Sequence, residues 1–468
     1  MKVDRIEITS ARVSPGEQKT CKVIFDWAKK NNCLSKVEVL EFVDHNKSVD
    51  WINEAGGKVI NLLCKGSEKH CRQQLNKTPK EHFSDIKKTI LYAHEKGFVV
   101  NAYLEDFSNG IKTSEKYVFD LVKVLNKNKV KRIMLADTLG LFSPKEVEKY
   151  VTLLVNKFKT QQFDFHAHND YGLAVANSIA AVNAGCCGVH VTVNGLGERT
   201  GNAPLEQMVP AIIDFTNKKI KAEEKQLASA SHLVELFSKR RMAKNAPIVG
   251  SVVFTQTAGI HADGDKKGNL YVSKLSPKRF GRKTRYALGK LSGKASISMA
   301  LKQLGVVLDE KELKLVLKKV VELGEKKEFV SKEDLLFLVD NVKNNEIKKL
   351  FKIRKYEILS SSKRKLKATL SVRFEGKKYK ASAYGDGGYD AFVTALKKIF
   401  KQKKMHFPEL TDYEVRIPVG GKTDALVETK ITWKRGNKVI ETVGVSTDQI
   451  EAAIFATEKM VNVILKIN

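Results

Sequence analysis

Between residue 4 and about residue 194, short stretches rich in β-branched and apolar residues alternate with longer segments of helical periodicity. The strand-like runs fall at 4–8, 36–43, 58–64, 98–105, 130–137, 163–168 and 188–194. Strand followed by helix, repeated, predicts βα units around a parallel sheet, because parallel neighbours need a crossover long enough to hold a helix. Polar or charged residues sit at the C-terminal ends of these runs, among them Glu105, Asp106, Asp137, Thr138, His166, His168 and Asn194. That is the face on which a (β/α)8 barrel places its chemistry. A closed barrel has eight strands and seven runs are visible, so the pattern predicts an α/β fold, a TIM barrel lacking its first strand, over residues 1–284.

The style of the chain then changes twice. Residues 295–350 alternate apolar and Lys/Glu positions at helical spacing, which predicts a helical linker over 285–349. In the last hundred residues, strand-like runs such as 367–374 and 413–417 are followed by helices, predicting an α+β domain over 350–468. Gly385-Asp386-Gly387-Gly388 opens one helix and Gly444-Val445-Ser446-Thr447-Asp448 the other, a weak internal duplication. Two such helix N-termini offer free backbone N–H groups to a carboxylate ligand.

Composition narrows the classes. At 468 residues and 42% hydrophobic the chain can bury a core in two or three domains. Its 83 basic against 53 acidic residues give a net charge of +30. The excess is mostly lysine spread along the whole chain, with no basic stripe and no interleaved aromatic residues, so a nucleic-acid partner is not expected. An anionic substrate such as a coenzyme A ester gains from the same field. No apolar run reaches the roughly 18 residues of a membrane span, and residues 1–7 lack the apolar stretch of a secretory signal, so a cytoplasmic protein without membrane contact is expected. The six cysteines include no C-x-x-C spacing, which predicts reduced thiols rather than a zinc knuckle or a disulfide framework.

The densest chemistry is His166-Ala167-His168-Asn169-Asp170. Residues two apart on a strand share a face, so the two imidazoles can converge on one divalent ion, with amide or carboxylate oxygens completing a site that leaves room for substrate. By itself such a pair reads equally well as two exposed polar residues. The segment Asn194-Gly195-Leu196-Gly197-Glu198-Arg199-Thr200-Gly201-Asn202 places its third glycine one residue late for a dinucleotide loop. Farther on, His261-Ala262-Asp263-Gly264 and Lys266-Lys267-Gly268-Asn269-Leu270-Tyr271 read as a functional loop or a solvated turn.

Taken together, the His166, Asn194 and His261 segments resemble the acetyl-CoA-dependent synthases of the 2-isopropylmalate, homocitrate and citramalate group. The resemblance covers nearly the whole chain, including a C-terminal module similar to the group's amino-acid-sensing domain. Ser10-Ala11-Arg12-Val13-Ser14, Tyr103-Leu104-Glu105-Asp106 and Phe254-Thr255-Gln256-Thr257-Ala258-Gly259 are most similar to the citramalate-forming branch. The resemblance implies a divalent metal (Mg, Mn or Zn) on His166 and His168 with Asn202 nearby. It implies that Leu40, Leu63 and Tyr103 narrow the 2-oxo acid pocket toward pyruvate, that Thr138 contacts the substrate carboxylate, and that Glu105 is a catalytic acid/base. His261, Asp263, Asn269 and Tyr271 match the region that handles acetyl-CoA, and Glu105 and His261 share the proton transfers.

The implied reaction adds the acetyl-CoA methyl carbon to the ketone of pyruvate, and hydrolysis of the thioester then releases coenzyme A and citramalate, in branched-chain amino acid biosynthesis. Use of 2-oxoisovalerate, as in a 2-isopropylmalate synthase, is the alternative. A homodimer and a branched-chain amino acid effector, isoleucine before leucine, follow from the same resemblance. The family opens with a strand carrying Arg-Asp-Gly-x-Gln, whose Arg assists the carbonyl and whose Asp ligates the metal, and these 468 residues contain no such segment. That departure agrees with the count of seven strands. It predicts weak activity for the chain as given and keeps open a second class, a non-catalytic amino-acid-binding relative.

Overall fold

The computed structural model describes residues 1–256, 273–283, 292–303, 306–326, 350–359, 365–417, 427–436 and 438–467, with isolated positions 268, 270, 285, 286, 288, 330, 335, 338, 339 and 342. The chain divides into two compact units, Met1–Phe254 with Lys274–Lys283, and Thr255–Ser273 with Thr284–Asn468.

The first unit is built on a seven-stranded sheet whose strands follow one another in chain order, all parallel. They are β1 (Ile6–Ser10), β2 (Val37–Phe42), β3 (Val59–Lys65), β4 (Val99–Glu105), β5 (Arg132–Asp137), β6 (Gln162–Ala167) and β7 (Gly188–His190). Each coincides with one of the seven runs, and the barrel-type α/β fold is as expected. Strand β7 is shorter than its run: beyond His190 only an isolated bridge from Thr192 to Pro204 continues, and the left-handed Asn194 (φ 61°) lies in the turn that follows.

Helices cross between the strands, and three of them open with the same local signal. Ser14-Pro15-Gly16-Glu17, Thr78-Pro79-Lys80-Glu81 and Ser143-Pro144-Lys145-Glu146 each place a hydroxyl before the helix, a proline at its first position and a glutamate at its third. The hydroxyl accepts the glutamate's backbone N–H in all three. In the latter two the glutamate carboxylate also accepts the cap residue's N–H, so two otherwise orphaned donors are satisfied.

The outward residues of the strands, such as Val39, Ile60, Leu62, Val100, Leu104, Ile133, Leu135 and Phe165, are fully buried in one apolar cluster. Glu41 breaks that pattern. It follows Val37 and Val39 on the same face of β2, is 0% exposed, and neither carboxylate oxygen has a partner. Burial, reinforced by Asp44, pushes its carboxyl well above the usual range.

Among the described residues of the second unit, helices Lys294–Gln303 and Glu310–Lys326 share an apolar cluster with Leu288, Val330 and Leu335. The C-terminal residues form two copies of one arrangement, a three-stranded antiparallel sheet followed by a helix. The first is Phe351–Leu359, Leu366–Phe374, Lys377–Gly385 and helix Gly388–Gln402; the second is Glu409–Arg416, Val427–Arg435, Lys438–Ser446 and helix Gln449–Ile467. The duplication is therefore stronger than the sequence suggests. Strand Phe351–Leu359 hides its period behind Lys352, Arg354, Lys355 and Glu357, because it is an edge strand with mostly exposed side chains.

The glycines before the two helices have a packing role. A β-carbon on Gly385 would lie 2.3 Å from the Ala391 nitrogen, and one on Gly444 would lie 1.9 Å from the Ala452 oxygen. Glycine there lets each helix lie directly on the strand that precedes it. No helix among the described residues is long and apolar enough to cross a membrane.

Glu41 yields a prediction whose sign is fixed by its burial. A carboxyl with a raised folded-state pKa binds protons more tightly folded than unfolded, so stability is intact below the unfolded value of about 4.3 and declines as pH rises above it. Glu41→Gln removes that decline. Its thermal midpoint relative to the native chain is expected to improve as pH rises above the unfolded carboxyl range; a difference independent of pH would refute this.

Candidate active site

Strand β6 turns Asp164 and His166 inward, and His168 continues the alternation just beyond its end. The Nε2 atoms of His166 and His168 are 3.3 Å apart. Two ligand nitrogens about 2.1 Å from one ion, at tetrahedral or octahedral angles, would lie about 3.0–3.4 Å apart, so the spacing suits a shared ion. Both Nδ1 atoms and the buried Oδ1 of Asn202 lack partners, and Asn202 sits across a β-bridge from His168. Desolvation, with His190 and His168 adding to it, holds the His166 imidazole well below its ordinary pKa; desolvation and then Arg199 lower that of His168. Both rings are thus kept neutral, the form that binds metal. Among the described residues no group of three or more His, Cys, Asp or Glu side chains has the geometry to hold a metal; the unpartnered atoms beside one another here belong to two imidazoles and an amide.

The loop from Asn194 to Asn202 brings that amide into place. Gly201 has φ 91°, and a β-carbon on it would lie 1.9 Å from the Gly195 oxygen. The chain folds back so that Asn202 N–H donates to the Gly195 oxygen (3.1 Å) and Asn169 N–H to the Gly201 oxygen (2.9 Å). Arg199 then clamps the far side: its Nε and Nη2 donate to the Asp170 carboxylate at 2.8 and 2.9 Å, and Nη2 to the Thr138 carbonyl at 2.8 Å. The glycines shape a turn beside the histidines.

The rim above β3 and β4 holds the other expected residues. Leu63 pairs in register with Tyr103, and Lys65 with Glu105. The Lys65 ammonium donates to the Glu105 carboxylate. Lys65 is pinned through its backbone, donating its N–H to His82 Nε2 (3.3 Å) and accepting from the Tyr117 hydroxyl (2.9 Å). Burial, with Lys77 adding to it, lowers His82 to a pKa of about 4, so its ring is a neutral acceptor. Thr138 Oγ accepts the Asp106 N–H (2.8 Å), and Asp106, left-handed at φ 62°, takes the Ser67 hydroxyl at 2.7 Å. Tyr103 is buried with its ring edge-on to His166, centroids 5.7 Å apart. Leu40 lies half-buried on β2. The C-terminal ends of neighbouring strands thus carry Leu40, Leu63, Tyr103, Glu105, Thr138, His166 and His168, with Asn202 beside them; His261, Asp263, Asn269 and Tyr271 lie outside the described residues.

Sequence reasoning missed a polar layer lower in the barrel. Arg132 is buried between Glu38, to which it donates, and Asp164, whose carboxylate lies 3.2 Å from its Nε. Arg5 reaches Asp164 at 2.9 Å and Glu38 at 3.7 Å. Asn61 donates to Glu38 at 3.0 Å, and Asn101 to Asn61 at 2.8 Å. Burial works to raise Asp164, but His190, Arg5 and Arg132 outweigh it and keep the carboxyl below the usual range. The signal was present: strands covered on both faces read as continuous apolar runs, so Glu38, Arg132 and Asp164 inside such runs mark an interior that is not apolar.

Removing one member leaves the others buried and uncompensated. Arg132→Met is expected to cost about 3–5 kcal/mol, read as a lower urea midpoint of the first unit's unfolding. A loss below about 1 kcal/mol, the range of an exposed pair, would contradict it.

Three family models match the chain end to end: HMGL-like over residues 1–234, the homocitrate synthase post-HMGL domain over 248–328, and the LeuA allosteric (dimerisation) domain over 329–465. The (R)-citramalate synthase of Methanocaldococcus jannaschii is 30% identical over 471 residues, covering 99% of this chain and 92% of the relative. A protein of Methanopyrus kandleri described as a probable 2-isopropylmalate synthase is 30% identical over 418 residues, covering 88% of this chain and 82% of the relative.

Proposed function

The chain belongs to the HMGL-like family, in the group that holds the citramalate and 2-isopropylmalate synthases, and from that premise we propose that it condenses acetyl-CoA with a short 2-oxo acid, pyruvate first, and that water then cleaves the thioester of the adduct to give citramalate and coenzyme A. The observation that carries this reading is the pair of imidazoles with Nε2 atoms 3.3 Å apart, with the Tyr103 ring standing edge-on beside one of them.

His166 and His168 would hold a divalent ion (Mg, Mn or Zn) through Nε2, with Asn202 Oδ1 as the oxygen donor. When bound, that ion supplies Lewis-acid polarisation of the ketone, worth several kcal/mol of transition-state charge stabilisation. Thr138 Oγ is already an acceptor for the Asp106 N–H, which leaves its own O–H to donate to the substrate carboxylate. Glu105 moves a proton between its carboxylate and the acetyl methyl carbon or the new alkoxide, and Lys65 holds that carboxylate at the rim. Leu40, Leu63 and Tyr103 limit the length of the 2-oxo acid. A misfit of one or two methylenes costs about 1–3 kcal/mol. His261, Asp263, Asn269 and Tyr271 are assigned to the acetyl-CoA side, His261 sharing the proton transfers. The LeuA match supports an allosteric, dimer-forming C-terminal domain; the reading adds to it a homodimer, a branched-chain amino acid effector, isoleucine before leucine, and a cytoplasmic biosynthetic role.

Release of free thiol from acetyl-CoA is the direct test. Pyruvate is expected to be used with roughly tenfold or greater preference over 2-oxoisovalerate; the reverse preference would make the protein a 2-isopropylmalate synthase. Thiol release with none of pyruvate, 2-oxobutyrate or 2-oxoisovalerate would favour the non-catalytic amino-acid-binding relative.

The metal proposal has its own measurement. Calorimetric titration with Mg2+, Mn2+ and Zn2+ is expected to show weaker binding in His166→Ala and in His168→Ala than in the native protein. Unchanged affinity in both variants removes the site.

A further inference from the structure

Tyr103 carries much of the proposed size selection, and its phenol oxygen is held from two sides. It lies 2.7 Å from His190 Nδ1 and donates to Glu7 Oε2 at 3.3 Å. His190 comes from β7, in register with His166. Its ring stands edge-on to Tyr103 (5.3 Å between centroids, 84°) and to His166 (5.7 Å, 89°). Its other nitrogen, Nε2, faces Asp164 Oδ2 at 3.8 Å, and Asp164 is fixed in turn by Arg5 and Arg132. A line of contacts therefore runs from the buried ion network through His190 to the Tyr103 ring and so to the edge of the pocket.

We propose that His190 is a positioning residue for substrate size, holding the Tyr103 ring at the one tilt that closes the pocket behind a methyl ketone. The inference rests on the 2-oxo acid reading above and adds to it the group that sets the selectivity. Glu7 makes the longer of the two contacts, and the same oxygen already accepts from Asn61 (2.5 Å), so the shorter contact to His190 is the one left to set the tilt of the ring. Without His190 the phenol can leave its rotamer, and the space it vacates admits a longer side chain.

Calorimetric binding of pyruvate and 2-oxoisovalerate, with Mg2+ present, tests this in the native protein, Tyr103→Phe, His190→Leu, His190→Asn and the Tyr103→Phe/His190→Leu pair. The native protein is expected to prefer pyruvate. Tyr103→Phe and His190→Leu should each reduce that preference roughly fivefold to tenfold. The pair should lose no more than either alone, because two residues acting through one contact are not additive. His190→Asn, which keeps a polar group near the Nδ1 position, should retain most of the preference; a merely structural loss would not be rescued in this selective way. Native selectivity in His190→Leu, or additive losses in the pair, would overturn the inference while leaving the reaction intact. A native protein that binds neither acid would overturn the 2-oxo acid reading itself, and this inference with it.

Discussion

Arg132 sits between Glu38 and Asp164 with almost no solvent around it, and the geometry of the barrel mouth follows from that enclosure. A buried guanidinium tolerates little displacement, because each carboxylate it loses is left desolvated and unpaired. The three residues come from β2, β5 and β6, so their pairing sets how the sheet curls, across its interior rather than along its hydrogen-bonded edges. Asp164 is two residues before His166 on the same face of β6. Fixing Asp164 therefore fixes the strand that presents both imidazoles.

Above this layer, the site is held by backbone rather than by side-chain packing alone. Asn194, Arg199 and Asp106 all adopt positive φ, a conformation that costs non-glycine residues energy and persists only where neighbours over-determine it. Each has such neighbours. Asn194 donates to Ser231 and accepts from its hydroxyl, Arg199 spans Asp170 and Thr138, and Asp106 takes hydrogen bonds from Ser67 and Asn109. The loop carrying Asn202 and the rim carrying Glu105 are thereby held in place beside the strand ends, and fixed positions of this kind are what the proposed two-substrate reaction would draw on.

The C-terminal duplication shows the same economy of means. Gly385 ends its strand and Gly444 lies two residues before the end of its own, and each sits under the first turns of the helix that follows. Their role is contact: any β-carbon would meet the backbone of that helix. Glu41 is the counter-example in the first unit, a carboxyl at a position where its neighbours on the same face are valines, and nothing in the structure explains it.

The order of strands and helices was legible in the residues themselves, because parallel strands covered on both faces must be apolar and helices must repeat at 3.6 residues. The His166-Ala-His168 pair was legible for a similar reason: two residues apart on a strand is a statement about direction, and direction is local. The three hydroxyl-Pro-x-Glu helix starts are local too. What separated Glu38 from Arg132 by 94 residues, and Tyr103 from His190 by 87, no local pattern could bridge. Those partners meet only because the sheet curls, and curling is a property of seven strands packed together. Even the meaning of a glycine changed on folding, since free N–H groups can be read from a sequence whereas a helix lying 2.3 Å from an imagined β-carbon cannot. The chain thus determined its elements and the type of chemistry they carry by rules that act within a few residues, while the pairing of buried charges, and with it the shape of the pocket, belonged to the tertiary structure, because only desolvation in a closed interior makes such pairings compulsory.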